Sequence, residues 1–213
     1  MNRKKLFGAL FLASMALAAC KKTDPIDETN PEPVVAENIS SFKEIASVDL
    51  GNTTAAEISA YDPSTKKLFV VSNDGGVKVE VLDLTAYPAI VKLRTLTYPN
   101  NAGINSVAVN NGLLAIALDG ANKQGNGDIV VLKTSTLEEV KKITVGAMPD
   151  MVTFSPDGTY IISANEGEPN DEYTVDPAGS ISIINVKNNY AVKTLDFAGF
   201  ESSKAALVAA GLR

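Results

Sequence analysis

From Phe42 onward, short apolar runs alternate with polar positions and are broken by Pro, Asp, Asn and Gly. That is the period-two pattern of strands, not the 3.6-residue period of helices. The stretch Pro149 to Gly167 shows the unit most clearly. Met151 to Phe154 is apolar and β-prone, Ser155-Pro156-Asp157-Gly158 makes a turn, and Thr159 to Ala164 returns as a second strand. Pro fixes φ in that turn, and Gly takes the position that a side chain would obstruct. The same pattern predicts strands over 58–61, 68–72, 77–84 and 90–96, then over 106–109, 113–118, 128–133 and 140–145. A third set covers 151–154, 160–164, 180–186 and 191–197.

Equivalent starts at Glu57, Asn105 and Asp150 are 48 and 45 residues apart. Four short antiparallel strands at that period are the signature of a propeller blade. The predicted fold is therefore an all-β propeller with four-stranded antiparallel blades over about 57–98, 105–146 and 150–197. A meandering sandwich is the competing arrangement. Three blades fall short of the roughly four to eight that close a ring, so the chain reads as the front part of a larger protein, with an incomplete ring. Glu44 to Gly51 alternates like an outer strand of the kind that completes a final blade. Glu201 to Arg213 is helix-prone, with Gly211 as a stop signal.

The N-terminus has a different character. Arg3, Lys4 and Lys5 precede an apolar run, Leu6 to Leu17, that is short for a bilayer span, and the run ends in Leu17-Ala18-Ala19-Cys20. This resembles a bacterial lipoprotein signal. The resemblance implies removal of residues 1–19, lipidation of Cys20 and a membrane anchor as one partner. Residues 20–41 hold several acids with Asp24-Pro25 and Asn30-Pro31-Glu32-Pro33, the composition of an extended tether ahead of a folded part from 42 to 213. The expected location is extracytoplasmic, at the outer membrane or cell surface.

Removing Arg3, Lys4 and Lys5 from the 19 basic residues leaves 16 against 25 acidic ones, a formal charge of −9. That balance disfavours nucleic acid and anionic surfaces and suits cations, or ligands bridged by them. There is no His, and Cys20 is the only cysteine. Ser-His-Asp catalysis, His-liganded zinc and intramolecular disulfides are therefore excluded within these residues.

Three segments, Ala56 to Pro63, Asn105 to Val109 and Pro149 to Phe154, resemble the choice-of-anchor I family. The most specific part is Asn165-Glu166-Gly167-Glu168-Pro169-Asn170-Asp171-Glu172-Tyr173-Thr174-Val175-Asp176-Pro177. The resemblance covers about 42–213 and implies a bacterial surface or secreted propeller. Some members are fused to phosphoesterase domains, but nothing in these residues corresponds to that catalytic part.

Antiparallel succession puts the start of a blade's first strand and the end of its second on one rim. Glu57, Asn105 and Asp150 hold the first place, while Asp74, Asp119 and Glu166, each followed by Gly, hold the second. Glu57, Asp74, Asp119, Asp150 and Glu166 are the candidate cation ligands, with calcium the expected ion because it accepts six to eight oxygens in flexible geometry. Asn105, Glu168, Asp171, Tyr173 and Asp176 are candidate ligand contacts, Tyr173 as a stacking face. Ordinary turn and loop chemistry accounts for the same residues without a site. Gly120 to Gly127 reads as a long blade loop rather than a phosphate cradle. Three functions stay open: binding of a surface ligand or partner at the acidic rim, a calcium-dependent phosphoesterase completed by further blades, and a structural or adhesive spacer.

Overall fold

The computed structural model describes residues 39–51 and 56–212. The signal run, Cys20 and most of the tether lie outside the described residues. The chain divides into two units, and the described part of the first, 39–43, holds one 3-10 turn, Ile39–Ser41.

The second unit contains all the described strands. They form three four-stranded antiparallel sheets, each in sequence order. The first is β1 (Ser59–Asp62), β2 (Lys67–Ser72), β3 (Lys78–Asp83) and β4 (Val91–Thr97). The second is β5 (Ile104–Asn110), β6 (Leu113–Leu118), β7 (Asn126–Lys133) and β8 (Glu139–Ala147). The third is β9 (Pro149–Phe154), β10 (Tyr160–Asn165), β11 (Ser180–Asn185) and β12 (Ala191–Asp196). These are blades of an unclosed propeller.

The blades meet face to face, and the middle one is buried on both sides. Leu114, Ile116, Leu118, Val130 and Leu132 pack on Phe69, Val71, Val79 and Val81 of the first blade. The alternate residues Ala115, Ala117, Ile129, Val131, Ile143 and Val145 pack on Val152, Ile161 and Ile184 of the third. This double burial is why β6 reads Leu-Leu-Ala-Ile-Ala-Leu with no polar alternation. Each large side chain so buried contributes on the order of 1.5–3 kcal/mol relative to exposure.

Polar contacts repeat between copies. Glu80 of β3 lies opposite Thr95 of β4 and takes its hydroxyl at 2.7 Å and the Lys92 ammonium at 2.9 Å. Asp128 of β7 lies opposite Thr144 of β8 and does the same with Thr144 at 3.0 Å and Lys142 at 3.0 Å. Side chains also clip one blade to the next through main-chain carbonyls. Lys67 donates to Thr134 O at 2.8 Å and Ser135 O at 3.0 Å, Asn73 to Ile104 O at 3.0 Å, and Asn105 to Pro149 O at 3.2 Å.

The turns behave as their residues predict. Gly158 has φ +68° and its N–H closes on Ser155 O at 2.8 Å. Asp157 accepts both hydroxyls of Ser155 and Thr159 at 2.6 Å, which holds its carboxyl well below the usual range. Asp62 plays this part in the first blade. Burial alone would raise its carboxyl, but bonds from Ser64 and Thr65, with Thr134 facing it, bring it down to about 2.

Two local expectations need comment. Glu44 to Gly51 forms no strand. Val48 and Leu50 instead border, with Ile58, Leu68, Val70 and Leu82, a cavity of about 290 Å³ beside the first blade. Apolar alternation allows a strand, but a strand also needs a partner edge to take up its backbone groups. The C-terminal tail is helical, a 3-10 stretch Ala198–Ser203 followed by α1 (Lys204–Ala209), and Gly211 ends it at φ +102°.

Gly146 supplies a test of the blade contact. A Cβ there would meet Ser180 Oγ at 2.5 Å and Asn165 Nδ2 at 2.8 Å, inside a buried network in which Asn165 bonds Ser163, Ser180 and Ser182. Gly146→Ala is expected to lower stability by about 1–3 kcal/mol, the usual range for overpacking. Gly199→Ala, which meets nothing within 4 Å, should lower it far less in the same urea titration.

Candidate functional site

The starts of β5 and β9 and the ends of β2, β6 and β10 share one rim of the blades, as antiparallel succession requires. At the centre of that rim is Asp119, directly after β6 and only 1% exposed. The loop that ends in Gly103 wraps it: Asp119 N–H donates to Gly103 O at 3.0 Å, and Asn101 donates to Asp119 O at 2.6 Å. Asn105 Nδ2 donates to Asp119 Oδ1 at 2.8 Å as well as to Pro149 O on the third blade. Oδ2 lies so close to Gly103 that a Cβ there would come within 2.6 Å of it. A side chain at position 103 would therefore have to displace the Asp119 carboxylate.

Burial pushes the Asp119 carboxyl above its ordinary range. The Asn105 bond and the Lys123 charge oppose that shift, while Asp150 and Glu168 reinforce it. Two clefts open beside this group. One, of about 410 Å³, is lined by Asn73, Gly103, Asn105, Asp119 and Lys123 among others. The second, of about 570 Å³, runs between the 121–124 loop and Glu168 to Glu172. They share Ala102 and Lys123, so they lie side by side and together make up the groove at this rim.

The long loop after β10 owes its shape to Asn170. Its Oδ1 accepts the N–H groups of Thr174 and Val175 at 2.9 Å, and its Nδ2 donates to Thr174 Oγ1 and Glu172 Oε2. Gln124 ties the two walls together by donating to Glu168 O at 3.3 Å.

Of the residues chosen from the sequence, Asn105 and Asp119 touch directly, and Asp150 and Glu168 act on Asp119 through their charge. Glu168 and Asp171 line the groove. Glu57 is exposed just before β1, with its N–H on Val71 O at 3.3 Å. Asp74 sits half-buried in the turn after β2, and Glu166 is exposed where the long loop begins. Tyr173 is 79% exposed with φ +53°, and neither it nor Asp176 lines the groove. Among the described residues no three acidic side chains gather closely enough to hold a metal ion. Calcium at this rim would thus draw further oxygens from amides, carbonyls or water. Sequence reasoning missed Asn73, Lys123, Gln124 and Asn170 as groove residues. Their one signal is position, in loops at the ends of second strands.

The family model described as "Choice-of-anchor I domain" matches residues 57–213. No curated protein matches the chain. Among solved structures, a putative 6-phosphogluconolactonase from Bacteroides fragilis aligns at 14% identity and TM-score 0.51, over 67% of this chain and 38% of its own. Hydrazine synthase of Kuenenia stuttgartiensis aligns at 20% identity and TM-score 0.49, over 67% and 38%. A eukaryotic initiation factor aligns at 16% and 0.47, over 71% and 34%. The first likeness extends to the fold alone. The chain spans 34–38% of the length of these structures.

Asp119→Asn keeps the Asn105 contact and removes a buried charge. Because the native carboxyl titrates above its unfolded counterpart, its ionised form lowers stability at neutral pH, and that cost fades as pH falls through the raised native value toward the unfolded one. The variant is therefore expected to melt above the parent at pH 7, with the gap closing as pH drops to about 4, where an unfolded aspartate itself protonates. Melting curves across that range check it.

Proposed function

This chain belongs to the choice-of-anchor I family, and we propose that it is a lipid-tethered propeller that binds a surface ligand or partner at the rim around Asp119. Membership makes it a surface-associated, extracytoplasmic β-domain. The observation that carries the binding reading is the groove itself. A buried carboxylate is kept there by Asn105 and a glycine-lined loop, although burial works against its charge. Such an arrangement is costly to stability and is a recurrent mark of binding sites. Calcium is the ion this reading favours, on the oxygen chemistry of Asp119, Asp150, Glu166 and Glu168. The tether follows from Cys20 and the apolar run before it.

Calorimetric titration of the full chain with calcium tests the cation. Binding and a raised melting temperature are expected, and Asp150→Asn with Glu166→Gln should abolish both while leaving the fold intact. No binding by the parent removes the ion from this reading. Cys20→Ser should move the chain from the membrane to the soluble fraction and end its labelling by palmitate; retention on the membrane with full labelling would overturn the anchor.

A further inference from the structure

We propose that the second half of β8 takes up a short extended peptide of a partner protein as an added strand, in the cleft between the second and third blades. The peptide carries an acid that meets Lys141. This surface is separate from the groove around Asp119.

β8 ends the second sheet and pairs only with β7, so alternate N–H and C=O groups along it point away from the sheet. It is the longest described strand, nine residues from Glu139 to Ala147. Its charged residues, Glu139, Lys141 and Lys142, all lie in the first half, and the second half, Thr144 to Ala147, carries none. An edge without charge is open to strand addition. Beyond β7, the one backbone partner of that half among the described residues is Gly167, whose N–H donates to Ala147 O at 3.2 Å. A cleft of about 520 Å³ runs beside these four residues. Its other wall includes Val192 and Thr194 of β12, which pair with Ile184 and Ser182 and so share their face toward the second blade. The lining holds no charged side chain, and the side chains of Asn126 and Thr194 bond no described residue. Such walls suit an uncharged main chain. No aromatic ring lines the cleft to carry the apolar face of a sugar. Four residues of added strand span about 13 Å, with backbone bonds giving affinity and alternate side chains giving selection. Lys141 alternates onto the face of β8 that holds Ile143 and Val145, and it forms no ion pair with a described residue. An acid on the incoming strand completes that pair.

The test pans a phage library of random nonapeptides against the full chain and measures the enriched peptides, made synthetically with a fluorescein label, by polarisation. Enriched peptides are expected to be rich in β-branched residues and to carry one Asp or Glu. N-methylation of one alternate set of their amides should abolish binding, while methylation of the other set spares it, because an added strand bonds its neighbour through every second residue. Thr194→Trp fills the cleft from an exposed position and should weaken binding about tenfold or more, with circular dichroism reporting an unchanged fold. Lys141→Glu should weaken it severalfold, and a peptide with Lys in place of its acid should recover the loss. That recovery guards against misreading a misfolded variant. No enrichment, equal effects of the two methylation sets, or undiminished binding by Thr194→Trp or Lys141→Glu would each overturn the inference. Displacement of the peptide by an equal concentration of cellotriose would overturn it too, and assign the cleft to a sugar.

Discussion

The structure depends on one burial constraint: the middle blade has no face turned to water. β6 and β7 must present side chains of suitable size to two neighbours at once, and they divide the work by strand parity. Leu114, Ile116 and Leu118 pack against the first blade, while the small Ala115 and Ala117 face the third. Close approach has a second requirement. Gly127 touches Pro149, and Gly146 touches Asn165 and Ser180, at distances where any Cβ would intrude. Small residues here set the angle between blades as much as large ones supply the stabilisation. The rim site inherits its geometry from this packing, because Asn105 reaches Asp119 in its own blade and Pro149 in the next.

Outer strands face the opposite problem. β12 is exposed along its whole length, and each fourth strand presents an edge with unpaired backbone groups. Lys92 and Arg94 on β4, Lys141 and Lys142 on β8, and Lys193 on β12 put positive charge there. Charged residues at an edge oppose pairing with another chain. Lys92 and Lys142 also satisfy Glu80 and Asp128 inside their own blades, so the same side chains serve both ends.

Much of the architecture was legible in the sequence because period-two alternation and Pro, Asp and Gly turns are local signals. The predicted strands and the observed ones differ mainly in the middle blade, where β5 begins at Ile104 and β7 at Asn126, earlier than the apolar pattern suggests. Pairing continues there through polar residues and Gly127, which a hydrophobicity pattern cannot register. Glu44 to Gly51 failed for the converse reason, since it has the pattern without a partner edge. At the rim, Asn105 and Asp119 were singled out because each copy carries an acid or amide at their two places. Lys123 and Asn170 were not, because loop residues acquire a role only through what the fold sets opposite them.

The clips between blades have an evolutionary reading. Lys67, Asn73 and Asn105 grip carbonyl oxygens of Thr134, Ser135, Ile104 and Pro149, and a carbonyl belongs to every amino acid. These contacts therefore make no demand of their own on the gripped side chains, whereas they do require the gripping ones. Copies joined in this way can diverge until they share little beyond spacing and still mate at the same angle.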